Sequence, residues 1–231
     1  MRSLLGAAGS ERNKSALSIA LALSISLTSI GCEDPIYRNE GPPSETAISY
    51  VTIRDARALE LLAASGYETI DEVTGLDFSI ATVVDHNAGM EEIREARIES
   101  LSGFEQFRYL RRLNISGNRV RSLDALTASP DLFYLDVSGN RVQDYSRLGP
   151  LPKLQVLIAP DNGIEDVQQF KQIRSLRLID LSDNRRMRGS VKALADLERL
   201  ERLDLRGCFS LDARAIGEFE AIRPDVEVMR P

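Results

Sequence analysis

The stretch YLRRLNISGNRV (109–120) is followed by DLFYLDVSGNRV (131–142), and in both an LxxLxLxxN pattern recurs after 22 residues. A fixed period of this length marks a repeat array, in which one unit cannot bury its apolar side without its neighbours. The asparagine of the pattern returns at Asn118, Asn140, Asn162 and Asn184, and a further unit, RLERLDLRGCFSL (199–211), puts Cys208 at that position after a step of 24. Counting back 22 residues from Ile115 and Val120 reaches Ile93 and Ile98, with Glu91 and Ala96 at the Leu and Asn positions. The first repeat is therefore expected to be weak at its strand. VEV (226–228) is expected to be the last strand.

Side chains alternate along a strand, so Leu113 and Ile115, Leu135 and Val137, Leu157 and Ala159, Ile179 and Leu181, and Leu203 and Leu205 are expected to point inward. Leu110, Leu132, Leu154, Leu176 and Leu200 fill a layer behind them. Asn118, Asn140, Asn162 and Asn184 follow the strands where the backbone turns, and a carboxamide there can satisfy unpaired backbone groups of adjacent coils. Cys208 can fill the same space as a structural residue but donates only weakly. Units of 22 residues leave room for 3₁₀ turns between strands, whereas SVKALADLERL (190–200) and LDARAIGEFEAI (211–222) have helical spacing.

The motif LxxLxLxxNxI, seen in LRRLNISGNRV (110–120), LFYLDVSGNRV (132–142) and LQVLIAPDNGI (154–164), resembles that of leucine-rich repeat proteins of the short, bacterial internalin-like class. SLSGFEQF (100–107) likewise resembles the phrase that opens such arrays. The resemblance implies an α/β solenoid, a leucine-rich repeat horseshoe with a parallel concave sheet and with 3₁₀ turns and short helices on its convex side. It covers residues 90–231, preceded at 48–89 by an N-terminal cap and a degenerate first repeat. A short β-like run near Ile48 opens the cap. A helix of about three turns is then expected around Leu59, Leu61 and Leu62, N-capped by Asp55 and ended by Gly66. Such a cap hides the first layer of the array. FSIATVVD (78–85) is a candidate degenerate strand, and His86 in DHNAG reads as a turn residue.

Ahead of the cap, Arg2, Arg12 and Lys14 precede an uncharged run from Ser15 to Gly31, as in an export signal over 1–31; the alternative is an uncleaved signal anchor. SIGC (29–32) resembles the lipobox of bacterial lipoproteins, with Ser29 where that family usually has Leu. The resemblance implies that Cys32 is acylated and anchors the protein to a membrane; the alternative is a nearby signal-peptidase site. EDPIYRNEGPPSET (33–46) has three prolines and no apolar period, and 32–47 reads as a tether.

The net charge is −6, and residues 1–31 carry a net of +2, so the remainder is more acidic still. Nucleic acid calls for Lys/Arg stripes and is excluded as a partner. No Walker loop, paired His ligands or GxSxG is present, so neither an enzyme, a cofactor, a metal nor a small-molecule substrate is expected. Function is sought instead on the outward-facing strand positions. One row reads Arg112, Tyr134, Val156, Leu178, Arg202, and the other Asn114, Asp136, Ile158, Asp180, Asp204. Tyr134, Val156, Ile158 and Leu178 lie on adjacent strands about 4.8 Å apart, an apolar centre rimmed by Arg112, Asp136, Asp180 and Arg202. The competing reading is that these residues are sheltered, by curvature or by the cap. The expectation is a lipid-anchored protein of the bacterial cell envelope that binds a protein partner on this face. The alternatives are a surface adhesin and a non-catalytic accessory subunit of an envelope enzyme.

Overall fold

The computed structural model describes residues 54–65, 67, 71, 73–79 and 97–231. The export signal, Cys32, the tether, the run at Ile48, most of FSIATVVD, His86 and Ile93 lie outside the described residues. Strands β1 (Gly75–Asp77), β2 (Arg112–Asn114), β3 (Tyr134–Asp136), β4 (Val156–Ile158), β5 (Leu178–Asp180), β6 (Arg202–Asp204) and β7 (Glu227–Met229) form one parallel sheet in sequence order. Each strand is three residues long because only its central side chain needs to enter the core. Leu76, Leu113, Leu135, Leu157, Ile179 and Leu203 are buried there in register. Ile115, Val137, Ala159, Leu181 and Leu205, and Leu110, Leu132, Leu154, Leu176 and Leu200 behind them, are also buried, as the alternation requires.

Helix α1 (Ala56–Ala64) precedes the sheet. Asp55 caps it by accepting from the N–H groups of Arg57 and Ala58 at 3.0 and 3.1 Å. Its second carboxylate oxygen accepts from Glu99 N–H at 2.8 Å, which ties the cap to the start of the array. No helix among the described residues is long and apolar enough to cross a membrane.

Two expectations are corrected. Counting back 22 residues places the strand before β2 near residue 93, but the partner of β2 is β1, with Leu76 opposite Leu113, 37 residues away. Phe78 takes the place of Ile115, since Asn118 Nδ2 donates to Phe78 O as Asn140 Nδ2 donates to Ile115 O. Ile98 holds the position expected of it: it is buried, and its N–H donates to Asn118 Oδ1 at 2.8 Å. The chain between Phe78 and Ile98 is therefore longer than the five-residue step from Ile115 to Val120, and the insertion breaks the count without breaking the register.

The second correction is SVKALADLERL, which forms a 3₁₀ turn over Val191–Leu194 rather than a helix. Its N–H groups bond three residues back, Ala195 to Lys192 O and Leu197 to Leu194 O. The carbonyls of Ala195, Leu197, Glu198 and Leu200 are taken by the guanidinium of Arg223. Turns of the same kind cover Phe104–Gln106, Asp124–Ala128, Ser146–Leu148 and Val167–Gln172, and LDARAIGEFEAI forms helix α2 (Ala213–Ile222), as its spacing predicts.

Candidate protein-binding face

Four asparagines lock adjacent coils. Asn140 Nδ2 donates to Ile115 O of the preceding coil and to Val137 O of its own at 2.8 and 2.9 Å, while Oδ1 accepts from Val120 N–H at 2.9 Å. Asn118, Asn162 and Asn184 repeat the arrangement, and all four are buried. Cys208 keeps the donor contact, its Sγ 3.1 Å from Leu181 O, and the Asn184 backbone N–H approaches the same sulfur. Burial pushes the Cys208 thiol up to about 11, so it is protonated at neutral pH and inert as a nucleophile.

With the ladder placed, the outward rows are set by register. The first runs Gly75, Arg112, Tyr134, Val156, Leu178, Arg202, Glu227, and the second Asp77, Asn114, Asp136, Ile158, Asp180, Asp204, Met229. Tyr134 is partly buried, with the Arg112 guanidinium 5.5 Å from its ring centroid, a cation–π contact. Burial and the neighbouring Asp136 carboxylate raise its phenol pKa. Ile158, Asp136 and Asp180 are partly exposed, and Arg202 bonds Glu227 at 2.8 Å.

Val156 and Leu178 depart from expectation: they are only 1% and 7% exposed. Val156 is a short side chain flanked in register by Tyr134 and Leu178, so little of it reaches solvent. The accessible apolar surface of the face is narrower than the sequence pattern suggests and is carried by Tyr134 and Ile158.

The second row has a structural duty that the sequence did not disclose. Asp77, Asn114, Asp136, Asp180 and Asp204 each use Oδ1 to accept the N–H two residues ahead, at 2.9–3.0 Å, closing the turn that leaves the strand. Ile158 and Met229 are the exceptions, and the residues two ahead of them, Pro160 and Pro231, have no N–H to be met, which frees these positions for apolar side chains. Asp204 also pairs with Arg206 at 2.5 Å. Among the described residues no ion pair reaches Asp77, Asp136 or Asp180, and Asp77 joins the row only because β1 joins the sheet. The Asp136 carboxyl pKa is raised, first by burial and further by the charges of Asp77 and Asp180. No group of three or more His, Cys, Asp or Glu among the described residues is arranged to hold a metal.

No protein-family model matches the sequence, and no curated protein matches it by sequence. Solved structures do match by fold. An internalin (inlF) from Listeria monocytogenes superposes with a TM-score of 0.53 at 17% identity, over 80% of this chain and 58% of that one. The internalin C2 (inlC2) of the same organism gives 0.52 at 14% identity, over 81% of this chain and 88% of that one. This chain thus spans little more than half the length of the first. At such identities the likeness is one of fold, and the fold of the array is the leucine-rich repeat solenoid of the internalins.

Proposed function

We propose that the protein is a binding scaffold that holds a protein partner on the open face of its sheet and is fastened to a bacterial envelope membrane through an acylated Cys32. The observation that carries the binding reading is the pair Tyr134 and Ile158, partly exposed on adjacent strands and bordered by Arg112, Asp136 and Asp180. A partly desolvated aromatic with charges around it is the composition of an interface anchor, whereas a face that serves only solubility would be polar throughout. Internalin-like folds lend the reading general support, since every unit of a solenoid presents side chains on one continuous face. Val156 and Leu178 lie beneath the contact as its floor.

The test is capture of envelope proteins after crosslinking. Wild type should retain a partner that Tyr134→Ala/Ile158→Asp loses while its circular dichroism stays unchanged; undiminished capture moves the site elsewhere. The anchor is tested separately. Radiolabelled palmitate should enter wild type and not Cys32→Ala, and label retained by the variant refutes acylation at that residue. Since each buried CH₂ contributes about 0.8 kcal/mol and one chain is only marginal, a stable anchor requires more than one acyl chain.

A further inference from the structure

The binding reading leaves the chemistry of the partner open, and the charges on the open face narrow it. In the second row, Asp136 and Asp180 stand on β3 and β5 with Ile158 between them on β4, so the two carboxylates are separated by two strand spacings, about 10 Å. Both use one oxygen to close the turn after their strand. That duty does not require charge, because Asn114 closes the same turn with a neutral carboxamide at 3.0 Å. Arginines on or just after the neighbouring strands have closer partners: Arg112 lies over Tyr134, Arg202 pairs with Glu227, and Arg206 pairs with Asp204 and feels the Asp180 charge only at longer range. The face therefore presents two carboxylates that no ion pair among the described residues reaches, spaced around an apolar side chain and beside a half-buried tyrosine.

Resting on the reading that this face binds protein, we infer that its partner presents a basic segment, with Lys or Arg side chains about 10 Å apart on either side of an apolar residue. The cations meet Asp136 and Asp180, and the apolar side chain lies against Ile158 and the ring of Tyr134. The neighbouring carboxylate of Asp77 extends the negative potential along the row toward β1 and widens the field that draws such a segment in. Burial first, and then the like charges of Asp77 and Asp180, raise the Asp136 carboxyl pKa, and a partner cation relieves the like-charge part. The same charges discriminate against an acidic segment, which would meet two unpaired carboxylates at the point of closest approach.

The probe is a fluorescein-labelled peptide with Lys residues flanking a central Leu, beside a counterpart with Glu in place of Lys, read by anisotropy on the full chain. Wild type should bind the Lys peptide and not the Glu peptide, and affinity should fall as NaCl rises through about 0.5 M. Asp136→Asn/Asp180→Asn keeps both turn acceptors and should weaken binding by about tenfold or more. Glu165→Gln/Asp196→Asn removes the same charge from exposed positions off this face and should bind as wild type does. Unchanged binding by the Asp136/Asp180 variant, or an equal loss in the Glu165/Asp196 variant, overturns the inference. If either occurs while Tyr134→Ala/Ile158→Asp still abolishes capture of an envelope protein, the face binds protein by chemistry other than cation recognition. Loss of neither signal in any variant removes both readings.

Discussion

In four coils a single carboxamide meets two carbonyls and an N–H, and no other side chain of its size could do the same. Replacing Asn140 with Leu strands Val120 N–H in a buried place and takes one of two donors from Ile115 O and Val137 O, which keep Asn118 and Asn162. An unmet buried group costs about 1–3 kcal/mol, so Asn140→Leu should lower the thermal midpoint by a few degrees; an unchanged midpoint would contradict the ladder role. Asp136 offers a different test, because its proton is held to higher pH in the folded chain than the ordinary value of 3.8. Between 3.8 and that raised value the folded state binds more protons than the unfolded one, so the contribution of Asp136 to stability falls as pH rises through the window. Asp136→Asn should therefore raise the midpoint at pH 7, and the gain should shrink as pH is lowered toward 3.8. A gain that persists undiminished at the acid end would show that charge is not its source. The ladder was legible in the sequence from its period alone. The turn-closing role of Asp77, Asp136, Asp180 and Asp204 was not, since it depends on the backbone two residues ahead.

Elements in this fold end where a neighbouring coil supplies a better partner. The segment 190–200 has helical spacing, and its Leu194, Leu197 and Leu200 are buried as a helix would bury them, yet it forms only a 3₁₀ turn. Arg223, from beyond α2, reaches back to its carbonyls, with the shortest contact 2.7 Å to Leu197 O, and Asp225 holds the guanidinium from the other side at 2.8 Å. Removing it should cost about 2 kcal/mol, as expected for hydrogen bonds to a charged donor. Lys offers a single ammonium in place of the planar fork, so Arg223→Lys should recover little of the loss seen in Arg223→Ala. Equal unfolding midpoints for wild type and Arg223→Lys would mean that charge alone, not the fork, secures the turn. Sequence periodicity could not foresee this outcome because the competing donor lies 23–28 residues away.

Across the whole array each coil touches chiefly the coils before and after it, so stability is propagated rather than concentrated. Interior coils are supported on both faces, whereas β7 is paired only to β6. Amide hydrogen exchange should then be slowest in the middle: Ala159 N–H, bonded to Asp180 O at 2.8 Å, should exchange more slowly than Leu205 N–H, bonded to Met229 O at the same distance. Equal protection at the two sites would show instead that the array opens only as a unit. The same nearest-neighbour logic explains how the insertion after Phe78 is tolerated, since β1 needs only β2 to take its place in the sheet.

The 22-residue period by itself determined the solenoid, the inward leucines, the asparagine ladder and the identity of the outward rows, because all of these follow from which residues share a position in successive coils. What tertiary structure decided is everything that depends on how one coil meets another. It put Gly75–Asp77, not the residues 22 before β2, at the head of the sheet, and it buried Val156 and Leu178 between their neighbours. It also gave Arg112, Arg202 and Arg206 partners, while among the described residues no ion pair reaches Asp136 or Asp180. A repeat pattern specifies which side a residue faces, but solvent access and charge pairing are set by the side chains that arrive from adjacent coils.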